Sequence, residues 1–116
     1  MIKFLVTPLL VAASLPIAAV ANPVDKYAAQ PIAAARYDVA MAKLEHVVRE
    51  NALDETALLN LALVYRHKGR VSDATELYRR VLALDNFLLE TSDGKPRWAH
   101  DVARAGLGAM VTFASR

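Results

Sequence analysis

The three histidines are the residues of this chain best suited to bind a metal or to transfer protons, because a neutral imidazole is a common metal ligand that titrates near neutral pH. His46, His67 and His100 fall in three different predicted helices, and none belongs to an HExxH pattern. A metal site needs roughly three or four converging ligands. Asp101 directly follows His100, but adjacent residues on a helix point apart. We therefore expect no metal ion and no cofactor.

Nucleophilic catalysis is the second chemistry that side chains of this kind could perform. Ser72 and Ser92 have no obvious base near them in the sequence, and a serine hydroxyl needs such a base to become a nucleophile. The chain contains no cysteine, which excludes thiolate chemistry and disulfide bonds. No glycine-rich phosphate loop is present either. The sequence therefore predicts a protein that is not an enzyme.

A basic cluster consists of the segment RHKGR, residues 66–70, together with Arg79 and Arg80. Such a cluster is typical of the solvated end of a helical hairpin; the alternative is a site for an acidic segment or an anionic lipid headgroup. The formal net charge is only +2, whereas nucleic-acid binding usually needs a concentrated basic patch. We expect no nucleic acid as a partner, and salt-sensitive binding would identify an acidic one.

The first 21 residues, MIKFLVTPLLVAASLPIAAVA, have a short basic start, an apolar run and small residues at the end. This is the pattern of a secretory signal peptide that is cleaved between Ala21 and Asn22. It predicts a periplasmic or secreted protein. The alternative is an uncleaved inner-membrane anchor, but Pro8 and Pro16 interrupt the run, and a spanning helix needs roughly 20 apolar residues.

The rest of the chain divides into a leader, residues 22–36, and a helical domain, residues 37–116. The leader contains two prolines and little amphipathic pattern, so we expect it to be flexible, with at most a short helical turn after Pro31. In the domain, helical spacing of apolar residues predicts an all-α fold with four main helices. The residues expected to start them are the caps Asp38, Asp54 and Ser72, and Pro96 in the first turn of the last.

The helix predicted from Glu55 to about Lys68 is apolar nearly all round and should be the central one. Gly69 should end it. In the last helix, one apolar face is expected along its length, and two glycines would let a neighbouring helix approach closely. The residues of that face are Trp98, Val102, Ala105 and Ala109, and the glycines are Gly106 and Gly108.

The segment from Glu55 to Leu88 resembles a tetratricopeptide repeat (TPR). The family pattern asks for Trp, then Leu-Gly, then Tyr, and later Ala, Phe and Pro at fixed spacings. The intact spacing is carried here by Leu58, Leu61, Ala62, Tyr65, Ala74, Tyr78 and Asn86. The same register upstream resembles the second helix of a preceding repeat, and the last helix resembles the first helix of a following one. The resemblance implies a short TPR-like antiparallel array.

TPR proteins bind peptides or partner helices in a groove lined by the first helix of each hairpin. By this resemblance, the partner-binding residues here would be Thr56, Leu59, Asn60, Leu63, Arg66 and His67. An Asn five residues before the Tyr often contacts a ligand backbone in peptide-binding members, and its amide offers both a donor and an acceptor. The alternative is that Asn60 is a satisfied polar residue beside the leader or the last helix.

The expected function is accordingly a non-catalytic interaction or scaffolding module that is exported across the inner membrane and binds a protein or peptide. Repeat arrays of this kind usually need about three repeats to bury their faces, and this chain has fewer. A structural, self-associating protein is therefore an alternative, as is a membrane-tethered adaptor that keeps its leader.

Overall fold

The computed structural model describes residues 25–91 and 93–114. The predicted signal peptide and its cleavage position between Ala21 and Asn22 lie outside this range, as does Ser92. The described chain is mostly helical, as predicted. Its elements are α1 (Ala29–Ala33), α2 (Tyr37–Glu50), α3 (Glu55–His67), α4 (Val71–Leu82), β1 (Leu88–Leu89), β2 (Arg97–Trp98) and α5 (Ala99–Ala114).

Helix α3 lies at the centre of the packing, as its apolar circumference predicts. It packs against α4, α2 and α5, and the short connections 51–54 and 68–70 make hairpins of α2 with α3 and of α3 with α4. Eight of its 13 residues are buried: Glu55, Ala57, Leu58, Leu59, Leu61, Ala62, Val64 and Tyr65. Because this core has no disulfide bond, apolar packing supplies its stability.

The helix boundaries test the predicted caps. Asp54 caps α3 as expected, with its carboxylate accepting a hydrogen bond from the backbone N–H of Ala57 at 3.2 Å. The other two predictions are wrong: α2 and α4 each start one residue before the predicted cap, so Asp38 and Ser72 lie in first turns. The residues that start them, Tyr37 and Val71, both pack against the core. Packing thus outweighs the local capping preference.

The chain between α4 and α5 differs from the prediction. Pro96 does not start the last helix; β2 pairs with β1 in antiparallel register, and α5 begins only at Ala99. The connecting turn is held by side chains, since the hydroxyl of Thr91 donates to the Lys95 carbonyl at 2.6 Å and the carboxylate of Asp93 accepts from the Lys95 N–H at 3.0 Å. Gly94 takes a positive φ of 78° there.

The packed face of α5 is also not the predicted one. The buried positions are Ala99, Ala103, Gly106 and Met110, whereas Trp98, Ala105 and Ala109 are exposed and Val102 is half-buried. Gly106 explains the choice of face, because a methyl group on its Cα would lie 2.6 Å from Cε1 of the buried Tyr78. Close approach at Gly106 is therefore confirmed, while no described atom outside the chain neighbours and the backbone of α5 lies within 4 Å of the same position at Gly108.

Candidate functional site

The six predicted partner-binding residues all lie on α3, and the structure gives them different surroundings. Leu59 is buried, with 5% of its surface exposed. His67, at the end of the helix, is exposed. The other four are half-buried: Thr56, Asn60, Leu63 and Arg66. Helix α3 therefore presents a partly covered surface rather than a fully open groove.

The N-terminal arm, residues 25–35, covers one part of this surface. The side-chain amide of Asn60 donates a hydrogen bond to the backbone carbonyl of Tyr27 at 2.9 Å. The next residue, Ala28, has no exposed surface at all. The amide of Asn60 thus holds the main chain of a segment 33 residues away. Of the two alternatives for Asn60, this contact corresponds to a polar residue satisfied beside the leader.

Asp54 joins the arm to the start of α3. One oxygen of its carboxylate caps the helix, and the other accepts a hydrogen bond from the Tyr27 hydroxyl at 3.1 Å. The ammonium of Lys26 lies 3.2 Å from that second oxygen. The hydrogen bond between Lys26 and Asp54 raises the pKa of Lys26. Since the side chain of Asp54 is only 9% exposed, its charge is partly shielded from water. We call Asp54, Asn60 and the space filled by Ala28 the arm seat.

The arm is organised internally by Asp25. Its two carboxylate oxygens accept hydrogen bonds from the backbone N–H groups of Ala29 at 2.7 Å and Gln30 at 3.0 Å. Partial burial raises the pKa of Asp25, but these two N–H groups and the charge of Lys43 outweigh it, so that the pKa lies below its ordinary value. Asp25 thus acts as a helix-capping carboxylate for α1.

Both ends of α1 have strained backbone. Ala28, before the helix, has φ of 59°, and Ala35, after it, has φ of 58°. This left-handed conformation costs a residue with a Cβ roughly 1–2 kcal/mol. None of the five residues of α1 is buried, although Ile32 is half-buried and packs against the core. The arm is therefore held by Lys26, Tyr27 and Ala28 together with the apolar contact of Ile32.

The opposite end of α3 is tied to α2. The rings of Tyr37 and His67 stack at 4.7 Å between centroids. The hydroxyl of Tyr65 donates to a carboxylate oxygen of Glu45 at 2.6 Å. Burial, together with this hydrogen bond, raises the pKa of Tyr65 to about 12. His67, predicted as a groove residue, is therefore a packing contact of α2 in this structure.

The predicted basic cluster is divided among separate contacts. Lys68 pairs with Asp38, and Arg70 pairs with Asp73 at 2.9 Å while its guanidinium lies 4.4 Å from the centre of the Tyr65 ring. On α4, the guanidinium of Arg80 donates to the Ala52 carbonyl at 3.1 Å. These contacts show each of these cations beside a local partner of its own.

The histidines do not meet. His46 faces Glu50 at 3.9 Å, His67 stacks on Tyr37, and one ring nitrogen of His100 lies 2.7 Å from the Leu84 carbonyl oxygen. Within residues 25–91 and 93–114, no group of three or more His, Asp or Glu side chains could hold a metal ion.

Two features of this surface were not predicted from the sequence. The sequence predicts a flexible leader around Tyr27 and Ala28, and no local pattern signals the contacts that these residues make with Asp54 and with the core. The burial of Glu55 in the first turn of α3 is the second feature, and among the described residues its Oε2 has no hydrogen-bond partner. Burial raises the pKa of Glu55, the charge of His100 lowers it, and Asp85 and Asp54 raise it further.

Three comparisons bear on kinship: no family model, no curated protein and no solved structure matches this chain. Across the part of the chain that the structure describes, no helix has both the length and the hydropathy needed to cross a bilayer.

Proposed function

We propose that the protein is a non-catalytic interaction module that binds a peptide or a helix of a partner protein on the surface of α3. The observation that carries this proposal is the hydrogen bond from Asn60 to the carbonyl of Tyr27. By the TPR resemblance this side chain is a predicted contact for a ligand backbone, and in the structure the arm satisfies it with the backbone carbonyl of a distant segment. A surface that already accommodates one stretch of main chain has the donors and the shape to accommodate another.

The TPR-like character of the α3–α4 hairpin is part of the proposal. Six of the seven positions that carry the family spacing are buried, with Ala62 and Ala74 at 0% and Tyr78 at 2% exposure, and the seventh, Asn86, is exposed. Small residues at these places let two helices approach closely, and the tyrosines fill the space beside them. This burial supports a TPR-like hairpin in which α3 takes the place of the partner-facing first helix.

Export is proposed on the sequence of residues 1–21 alone. The corresponding experiment is mass spectrometry of the protein recovered from the cell envelope. A mass that places the N-terminus at Asn22 supports a periplasmic or secreted module. An intact N-terminus in the membrane fraction would instead favour the adaptor tethered by its leader.

The proposed function is tested by capture of partners from the cell envelope with a tagged protein. Leu63→Glu places a charge on the half-buried centre of the surface and should abolish capture while leaving helicity unchanged. Leu53→Glu is the matched control, because Leu53 is 68% exposed in the α2–α3 connection. Capture that survives Leu63→Glu as it survives Leu53→Glu would contradict the assignment of the binding surface to α3.

Self-association is a second candidate, and one observation favours it. Phe87, Leu88 and Trp98 are exposed apolar side chains, and the β1–β2 register places Leu88 opposite Trp98. An open cavity of about 380 Å³ continues from Trp98 along Val102 and Ala105. Light scattering over a range of concentrations tests this idea, with Trp98→Lys as the variant. A strict monomer at high concentration would exclude it.

A further inference from the structure

We infer that the arm seat is the recognition site for a partner segment in which a basic residue, a tyrosine and a small residue follow one another, and that the arm occupies this site until such a segment displaces it. The inference rests on the proposed function and adds the class of partner and the regulation. The segment Lys26-Tyr27-Ala28 is the stand-in from which the partner's chemistry can be read.

Each of the three residues Lys26, Tyr27 and Ala28 makes a different contact with the arm seat, and each contact restricts the side chain that can bind there. The second oxygen of Asp54 accepts from the Tyr27 hydroxyl and lies 3.2 Å from the Lys26 ammonium, so it selects a hydroxyl-bearing aromatic residue preceded by a cation. Asn60 binds the carbonyl of the aromatic residue, which any side chain allows. The complete burial of Ala28 admits only a small side chain at the third position.

Few contacts oppose release of the arm from the rest of the domain. Helix α1 buries none of its residues completely, with Ile32 half-buried against the core, and the backbone at Ala28 and Ala35 is in the left-handed conformation. Lys26 is half exposed, so salt and water screen its attraction to Asp54. When the arm leaves, the strained backbone at Ala35 can relax. A partner segment is not joined to α2 through Ala35, so it binds without this strain.

The probe is a fluorescent synthetic peptide with the sequence of residues 25–34, DKYAAQPIAA, titrated into the full chain and followed by anisotropy. Asp25→Ala in the protein removes the cap of α1 without changing the seat. This variant should bind the peptide about two- to tenfold more tightly than the unchanged protein. Loss of a helix cap has an effect of this size, and it weakens the arm that competes with the peptide for the arm seat. Ala35→Gly relieves the strained position, so the arm should hold better and the peptide should bind about two- to fivefold more weakly.

The seat is tested on the Asp25→Ala background. Asp54→Ser keeps a side chain that caps α3 but removes the carboxylate, and it should reduce binding by about tenfold, the usual size of a charged hydrogen bond. A peptide with Ala in place of its Tyr should bind to the Asp25→Ala protein as weakly as the unchanged peptide binds to the variant that also carries Asp54→Ser. Circular dichroism of each variant shows whether the helices remain. If Asp25→Ala melts the domain, the weaker peptide binding expected of Ala35→Gly still tests whether the arm competes with the peptide.

Three results would overturn the inference. The first is equal peptide affinity for the unchanged protein, Asp25→Ala and Ala35→Gly. The second is equal binding of the Tyr and Ala peptides. The third is a doubled mass by light scattering for Asp25→Ala without peptide, which would make a second copy's arm the occupant. The proposed function fails separately, when Leu63→Glu leaves envelope capture unchanged; peptide binding that obeys the arm variants can coexist with that failure.

Discussion

The amide nitrogen of Asn60 lies 2.9 Å from the carbonyl oxygen of Tyr27, and this single contact links the middle of α3 to a segment that precedes α2. The tyrosine ring then extends to Asp54 at the first residues of the same helix. Two points along α3 are therefore bridged by one residue of the arm. This bridge positions the arm over the predicted partner-binding surface, so that the proposed release of the arm would expose the side chains of Asn60 and Asp54 to a partner.

Replacement of Asn60 by Asp should free the arm. The change removes the N–H donor and places a carboxylate beside the carbonyl oxygen of Tyr27. A lost hydrogen bond of this kind is worth about 1 kcal/mol, so arm opening should rise about fivefold. Limited trypsin digestion measures this as faster cleavage after Lys26. The exposed Glu76→Ala on α4 is the control; equal cleavage rates in the two variants would show that Asn60 does not hold the arm.

The two glycines of α5 should respond oppositely to the same substitution. Gly106→Ala places a methyl group 2.6 Å from Cε1 of Tyr78, a residue that is only 2% exposed. Such overpacking should lower the free energy of unfolding by about 1–3 kcal/mol. Urea denaturation followed by circular dichroism measures the change.

Gly108→Ala is the matched control for that measurement. Apart from its chain neighbours and its own helix backbone, no described atom lies within 4 Å of the new Cβ, and alanine is favoured over glycine inside a helix by about 0.5–1 kcal/mol. The free energy of unfolding should therefore rise. Destabilisation by both substitutions to a similar extent would contradict the face that α5 presents to α4.

Features of the fold that depend on neighbouring residues in the sequence, such as a helix cap, could be predicted from local rules. Asp54 before an apolar run predicts a cap, and the carboxylate does cap α3. Its second role could not be predicted, because the residues that use the other oxygen, Lys26 and Tyr27, belong to a proline-containing segment without periodicity. Which main-chain segment reaches Asn60 is likewise decided by packing between positions 33 residues apart.

The last helix shows why the prediction of its packed face is wrong. The predicted stripe that begins at Trp98 has helical spacing, but the stripe that begins at Ala99 has it too. Packing selected the second, because the small residues on that side allow α5 to approach Tyr78 closely. Space around a neighbouring ring is a property of the folded chain, so periodicity alone cannot express it.

Glu55→Gln should stabilise the protein at neutral pH. Burial raises the pKa of Glu55, so its charged form is disfavoured in the folded state. A raised folded-state pKa contributes stability below the ordinary value of 4.5 that is lost as the pH rises through the raised value. The gain from Gln should therefore be seen at pH 7 and vanish near pH 4. Urea denaturation at both values measures it, and a gain of equal size at both would contradict the assigned cause.

Tyr65 should make the stability of the protein fall at alkaline pH. Burial and the hydrogen bond to Glu45 raise the pKa of its hydroxyl from 10.0 to about 12. The folded state therefore keeps this proton more tightly than the unfolded chain. The resulting stability is fully present below pH 10 and is lost as the pH rises toward 12.

Tyr65→Phe should lower the free energy of unfolding at pH 7 by about 1–3 kcal/mol, because Glu45 loses its partner. It should also flatten the decline above pH 10, although burial of Tyr78 raises the pKa of that residue too and leaves part of the slope. Denaturation of both proteins between pH 8 and pH 11 compares the slopes, and parallel curves would mean that Tyr65 ionises equally easily in the folded and unfolded states.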